Sequence, residues 1–199
     1  MEPFAYPQTP HSRRHGPQGY ENYESYRPWL RDEFSFCCVY CLTRERWGKG
    51  ALEFQNDHLV PQSLSSSDIL DYDNLLYACA TCNRMKTDAT GIPDPCKIAY
   101  AQCLQVNENG TITALNNQGR LLIKILRLDN HENTEYRRLI LEIIKLAQNE
   151  KSSVYSYLMG FPDNLPDLTR KRPPSNSKPQ GISESFFARR KRNELPKIY

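Results

Sequence analysis

The amino-acid sequence predicts an α+β fold in which a small core, held together by cysteines, carries an appended β-hairpin and helix and has flexible basic termini. Two Cys-x-x-Cys pairs flank a strand-like segment, and apolar residues recur at helical spacing over 133–149. Most of the 14 prolines lie towards the two ends. We therefore predict four regions: a flexible arm over 1–29, the core over 30–90, an accessory β-hairpin and amphipathic helix packed on the core over 91–160, and a basic proline-rich tail over 161–199.

Length and composition favour one small domain with extensions. The chain has 199 residues, of which 39% are hydrophobic and 25% charged, so the core is modest. No apolar run approaches the roughly 20 residues that a membrane span needs, and the N-terminal residues lack the apolar centre of a secretory signal. We expect a soluble, cytoplasmic protein without a membrane partner; the oligomeric state is not predicted.

The net charge of +3 is too small to indicate a nucleic-acid partner by itself. Positive side chains nevertheless cluster late in the chain, over 170–172 and 189–192. Two interpretations stay open for these clusters. They form either a solvated tail or an arm that contacts phosphates.

The core contains two segments with a local signal. Residues 51–60 have the β-branched and aromatic composition of a short strand. Residues 74–88 place apolar and small side chains at three-to-four spacing, which predicts a helix, and Asp71 to Asp73 can cap it.

The accessory region is predicted to begin with strands. Residues 104–115 read as two short strands around a turn at Asn109-Gly110. A further strand is predicted over 120–128 because Leu and Ile dominate that run. The helix over 133–149 then presents one apolar stripe, which we attribute to packing.

Seven cysteines are an odd number for a disulfide framework, and a cytosolic chain keeps its thiols reduced. Metal binding is the better explanation for the paired cysteines. A Cys-x-x-Cys turn brings two thiolates to about 2.3 Å from one zinc ion, and two such turns complete a four-sulfur site. Thiol redox chemistry needs only one such pair. The sequence therefore predicts a structural Zn²⁺ held by Cys38, Cys41, Cys79 and Cys82.

The other three cysteines leave one alternative open. Cys37 adjoins the first pair, so Cys37 could replace Cys38 as a ligand together with Cys41. Cys96 and Cys103 are predicted to be free thiols. A zinc ion with four cysteine ligands has no open position and cannot activate water, so any catalysis must use other residues.

Those other residues lie between and beside the cysteines. Asp57-His58 follows the strand-like segment, and Asn83 directly follows the last paired cysteine. An isolated histidine is more often a surface or core residue than a catalyst. Here the cysteine clip would fix both elements relative to each other, which favours a function for His58.

The run from C-V-Y-C through D-H-L-V-P-Q-S to D-N-L-L-Y-A-C-A-T-C-N-R-M-K resembles the HNH endonuclease family, over roughly residues 36–88. The resemblance implies a ββα-metal unit (His-Me finger), in which a hairpin with a long connection packs on one helix around a catalytic cation. His58 matches the first position of the motif, Asn74 the central one and Asn83 the third, which gives the H-N-N variant. Leu64 to Ser67 replace the Gly-Gly of many relatives, so the loop conformation is open.

The resemblance implies hydrolysis of a DNA phosphodiester bond. His58 would be the general base, because a neutral imidazole can take a proton from the attacking water. Asp57 and the side-chain oxygen of Asn83 would hold Mg²⁺ or Mn²⁺. Asn74 would tether the loop and orient the base, with a helix cap as its structural alternative. Arg84 and Lys86 would contact phosphates or else form a solvated face.

Two functions therefore compete. The first is a metal-dependent DNA endonuclease, nicking or cutting both strands, of the kind met in defence, restriction or mobile elements. The second is a catalytically silent zinc module that binds nucleic acid or a partner protein. Such a module needs the cysteines but not Asp57, His58 and Asn83, so these three residues favour the nuclease. A partner protein could select the target, because no dedicated DNA-reading motif is recognisable.

Overall fold

The computed structural model describes residues 3–199, which form three separate two-stranded antiparallel sheets and six α-helices. None of these helices has the length and apolarity needed to cross a bilayer. In chain order the elements are β1 (Pro17–Gln18), α1 (Arg27–Glu33), β2 (Phe54–His58), β3 (Leu75–Cys79), α2 (Ala80–Lys86), β4 (Leu104–Val106), β5 (Ile112–Ala114), α3 (Asn117–Leu126), α4 (His131–Asn149), α5 (Ser153–Met159), β6 (Ser175–Asn176) and α6 (Phe186–Lys191).

The centre of the fold is the pairing of β2 with β3, whose register runs from Phe54 opposite Cys79 to His58 opposite Leu75. The strand predicted over 51–60 is confirmed. The predicted helix over 74–88 is only partly right, because β3 comes first and α2 begins at Ala80. The first four residues of β3 are apolar and buried, and such an uninterrupted run fits a buried strand as well as a helix.

The accessory region follows the prediction at both ends but not in the middle. β4 and β5 form the predicted hairpin, and Gly110 in its turn has a φ of 82°, which favours glycine. The strand predicted over 120–128 is wrong, because α3 occupies this run. Asn116 caps α3 by accepting a hydrogen bond from the Gly119 amide, and Leu122 and Leu126 are buried on one face. The predicted helix over 133–149 is confirmed as α4.

Residues 3–29 differ from the predicted flexible arm, because they pack on the core. Tyr6, His15, Tyr26 and Trp29 are all buried. The segment carries no helical or alternating apolar pattern, and its order comes from contacts with distant parts of the chain. The core itself lies between α1, the β2–β3 hairpin and α3.

The tail over 161–199 also wraps the core instead of extending from it. β6 pairs with β1, with Pro17 opposite Asn176. Phe186 at the start of α6 packs against Phe161, and its amide donates a 2.8 Å hydrogen bond to the buried carboxylate of Asp32. The expectation of flexible termini is therefore corrected at both ends, since each terminal segment is pinned to α1 and to the other.

Glu33, at the end of α1, anchors the N-terminal segment. Its buried carboxylate bonds to the His11 ring at 2.9 Å and accepts hydrogen bonds from the amides of Arg14 and His15 at 2.8 and 2.9 Å. The Tyr72 hydroxyl donates a fourth bond at 3.1 Å. Burial raises the pKa of Glu33, but these partners outweigh it and lower the pKa from 4.5 to about 2.

We expect a Glu33→Gln variant to be less stable than the parent by about 3 kcal/mol at pH 7. The folded pKa lies below the unfolded one, so the contribution of Glu33 is present above pH 4.5 and disappears as the pH falls towards 2. Urea unfolding of both proteins at several pH values measures this difference. A stability gap that stays constant between pH 7 and pH 3 would show that the Glu33 charge is not what anchors the segment.

Candidate functional site

Four cysteines from three parts of the fold converge beside the central hairpin. Cys38 and Cys41 lie in the turn before β2, Cys79 ends β3, and Cys82 lies in the first turn of α2. Their sulfur atoms all lie within 4.8 Å of one another, and the Sγ atoms of Cys41 and Cys79 are 3.7 Å apart. Tetrahedral zinc with bonds of about 2.3 Å separates neighbouring sulfurs by about 3.8 Å. The predicted convergence is confirmed, and the cluster has the dimensions of a zinc site.

Burial and hydrogen bonds within the cluster shift the pKa values of three of the four sulfurs. Hydrogen bonds from Cys38, Cys79 and Cys82 hold the pKa of Cys41 well below its usual value. Burial raises the pKa of Cys38, and bonding to Cys38 and Cys41 raises that of Cys82. A bound dication would stabilise the thiolate form of the four ligands.

Cys37 lies outside this cluster. Its thiol is directed to the Ser35 carbonyl oxygen at 3.3 Å, and burial raises its pKa to about 12. This arrangement removes the alternative in which Cys37 replaces Cys38.

The cluster fixes the beginning of α2. The Cys79 sulfur caps this helix by accepting a bond from the Cys82 amide at 3.4 Å. The Val39 amide donates to the Tyr77 carbonyl at 3.0 Å, which ties the first cysteine turn to β3. As a result, the later residues of α2 have a defined position relative to β2.

His58 lies at the end of β2, 6% exposed, with both ring nitrogens engaged. Its Nε2 lies 3.0 Å from the Ile69 carbonyl oxygen and its Nδ1 lies 3.1 Å from Nε2 of Gln62. A carbonyl oxygen can only accept, so we assign the proton to Nε2. Nδ1 then keeps its lone pair and accepts from the Gln62 amide, which makes Nδ1 the basic nitrogen of His58.

The Asn74 side chain links two parts of the long connection between β2 and β3 by hydrogen bonds. Its Oδ1 accepts from the Val60 amide at 2.8 Å, and its Nδ2 donates to the carbonyls of Val60 and Asp68, each at 3.1 Å. The loop held in this way presents the Ile69 carbonyl to His58. Asn74 does not cap a helix, because the nearby 3-10 turn is capped by Asp71 and α2 by Cys79.

Asp57 points to the opposite face of β2 and is 3% exposed. The Tyr40 hydroxyl donates to its Oδ2 at 2.5 Å, and the Lys86 ammonium lies 3.2 Å from its Oδ1. Burial raises the pKa of Asp57 more than the Lys86 ammonium lowers it. Asp57 and Lys86 therefore form a buried ion pair between β2 and α2.

The prediction that Lys86 contacts phosphates is wrong for this arrangement. Lys86 is 1% exposed, and its ammonium also donates to the His58 carbonyl at 2.5 Å. An ammonium held by two partners inside the protein cannot reach a phosphate outside it. Arg84, on the exposed side of α2, stays a predicted phosphate contact.

Asn83 and Asp57 face the same side of β2 but do not meet. The Asn83 amide nitrogen donates to the Gln55 side chain at 2.7 Å, whereas both Asp57 oxygens are engaged by Tyr40 and Lys86. A hard cation needs free oxygen ligands. In the observed arrangement Asp57 has no free oxygen for the predicted cation.

Some residues around His58 carried no signal in the sequence. The Ile69 contact uses a main-chain carbonyl, which any residue could supply. Tyr23, whose ring lies 4.9 Å from the His58 ring, is distant in sequence. Gln62, in contrast, lies four residues after His58 in the P-Q-S turn, and this position is the only sequence signal for it, too weak to include it in the predicted site.

A comparison with known protein families matches residues 38–89 to the family described as HNH endonuclease. The match covers both cysteine pairs, β2, β3 and α2, and leaves the rest of the chain unassigned. A search of curated proteins found no match. Residues 38–89 therefore match the HNH endonuclease family, and an HNH domain suggests nuclease-type activity.

Proposed function

We propose that this chain is a metal-dependent HNH endonuclease that hydrolyses phosphodiester bonds of DNA. The observation that carries the proposal is the state of His58 within the family-matched segment. A histidine whose Nε2–H is bonded to a carbonyl and whose Nδ1 has a lone pair is prepared to accept a proton. The order β2–β3–α2 beside the cysteine cluster supports a ββα-metal unit, which is the fold that we propose for this segment.

The proton transfer uses Nδ1 of His58. Gln62 is exposed, so its amide can leave Nδ1 and make room for the attacking water. When Nδ1 takes the proton from that water, the ring becomes an imidazolium, and the Ile69 carbonyl at Nε2 stabilises its charge. The three hydrogen bonds of Asn74 keep that carbonyl in place, which makes Asn74 a positioning residue.

The four cysteines have a different task in this proposal. A Zn²⁺ with four sulfur ligands is closed to water and substrate, so it stabilises the fold and takes no part in hydrolysis. The cysteine cluster would hold β3 and α2 together while His58 carries out the chemistry at the end of β2.

The family generally uses a divalent cation, and we propose Mg²⁺ or Mn²⁺ here. Such a cation, when bound, stabilises charge on the phosphate and the departing oxygen. Asp57 and Asn83 remain the predicted ligands, and Asp57 could serve as one only after Lys86 withdraws from it. The proposed steps at His58 do not depend on where the cation binds.

One observation favours the alternative of a catalytically silent zinc module. The Asp57 carboxylate is neutralised by Lys86 inside the protein, as in a structural ion pair. A silent module would keep the cysteine cluster and bind nucleic acid or a partner protein without cleaving.

A plasmid assay separates the two functions. We expect the purified protein to nick or linearise supercoiled DNA when Mg²⁺ or Mn²⁺ is added, and to leave it intact in buffer freed of divalent cations beforehand. A chelator is unsuitable as the control, because it would also remove zinc. DNA binding without cleavage under any of these cations would favour the silent module.

A further inference from the structure

The N-terminal segment reaches the candidate base, although it lies outside the family-matched residues 38–89. The Tyr23 ring meets the His58 imidazole edge to face, with centroids 4.9 Å apart and planes at 73°. This geometry is the favourable one for an aromatic pair. Tyr23 therefore covers one side of the base.

The position of Tyr23 is fixed from both sides. The Asn56 side chain on β2 donates to the Tyr23 carbonyl at 2.8 Å. Tyr23 also begins a 3-10 turn that Asn22 caps by accepting from the Glu24 amide, and the turn ends at the fully buried Tyr26. Asn56 and His58 lie on the same face of β2, so the strand that carries the base also holds Tyr23 in place.

The Tyr23 ring that contacts His58 carries a hydroxyl group that is available to a further partner. The side chain is half-buried, and its hydroxyl takes part in none of the side-chain hydrogen bonds found within residues 3–199. Two basic side chains that contact β2 already have partners inside the protein. Arg27 donates to the carbonyls of Ala51 and Phe54, and Lys86 is paired with Asp57.

We propose that Tyr23 is a substrate-contacting residue, whose hydroxyl donates a hydrogen bond to a phosphate oxygen of the DNA strand placed against His58. Its ring at the same time fixes the orientation of the imidazole. This inference rests on the proposed nuclease function. It assigns part of the active site to a segment that precedes the HNH domain.

The test compares two changes at Tyr23. Tyr23→Phe keeps the ring on His58 and removes only the hydroxyl, whereas Tyr23→Ala removes both. The matched control is Tyr20→Phe, because the Tyr20 hydroxyl lies in the same segment and faces the Trp29 indole at 3.4 Å. The measurements are kcat and KM for plasmid nicking, the melting temperature, and Kd for a fluorescent duplex in a His58→Ala background, where cleavage cannot interfere.

We expect Tyr23→Phe to lower kcat/KM by about tenfold or more and to weaken duplex binding, because a hydrogen bond to a charged oxygen is lost. Its melting temperature should stay at the parent value. Tyr23→Ala should lose further activity through kcat, and Tyr20→Phe should behave as the parent.

Three results distinguish the possible failures. If Tyr23→Phe cleaves and binds DNA as the parent does, the hydroxyl contact is wrong, even if Tyr23→Ala is impaired. If the parent binds DNA without cleaving it and Tyr23→Phe weakens binding, the contact stands and the nuclease proposal fails. If the parent neither binds nor cleaves DNA, both proposals fall.

Discussion

A Cys82→Ser variant is expected to lose its zinc and to unfold the unit formed by β2, β3 and α2. The four sulfurs come from three parts of the chain, so the metal joins the first cysteine turn, the end of β3 and the start of α2. Binding of structural zinc is worth about 10–16 kcal/mol in small domains, which is comparable with the whole stability of a typical protein. A serine hydroxyl is a much weaker zinc ligand than a cysteine thiolate, so the cluster would keep only three sulfur ligands.

Metal analysis and circular dichroism of the same sample measure this effect. The parent should contain one zinc per chain and melt cooperatively, and the variant should contain substantially less zinc and melt at a much lower temperature. Cys96→Ser is the matched control, because Cys96 is half-buried and lies outside the cluster. Full zinc content and an unchanged melting temperature in Cys82→Ser would contradict the assignment of this ligand.

Replacing Lys86 with methionine is expected to destabilise the protein by about 3–5 kcal/mol. The substitution keeps the apolar stem but leaves the Asp57 carboxylate buried without its cation. Adding Asp57→Asn in the same chain removes the stranded charge, so the double variant should recover a large part of the loss.

Urea unfolding of the single and double variants measures the coupling between the two residues. Arg84→Met is the control, since Arg84 is exposed on the same helix and its replacement should change stability by no more than about 0.5 kcal/mol. If Lys86→Met is as stable as Arg84→Met, the buried ion pair does not stabilise the junction of β2 and α2.

The local signals in the sequence predicted the parts of the fold that depend on neighbouring residues. The spacing of the paired cysteines predicted their convergence, and the Asn109-Gly110 turn predicted the β4–β5 hairpin. The run over Leu75–Ala78 and that of α3 were misassigned, because short apolar segments fit a strand and a helix equally well.

The packing of the two termini could not be predicted, because the residues that hold them are far apart in sequence. Asp32 on α1 bonds to the His15 ring at 2.8 Å and to the Phe186 amide at 2.8 Å, and no local pattern links these three residues. A sequence that is rich in proline and lacks periodicity is therefore no evidence that a segment is disordered.

The candidate site also contains some residues that the sequence predicts and others that only the folded structure reveals. The motif predicts His58 and Asn74 as site residues, and the Asn74 side chain makes the loop contacts that a tether needs. It could not reveal that Lys86 would turn inward to Asp57, because a lysine on a short helix can face either solvent or a buried carboxylate. It also could not reveal Tyr23, whose contact with His58 requires the folded N-terminal segment.

The central claim is that zinc and catalysis belong to separate residues, with His58 as the base. The most direct test is to measure zinc content and plasmid cleavage in one preparation of His58→Ala, with the exposed His131→Ala as control. We predict that His58→Ala keeps the zinc content of the parent and cleaves about 10²–10⁴-fold more slowly, while His131→Ala matches the parent. Cleavage by His58→Ala at the parent rate would contradict the claim.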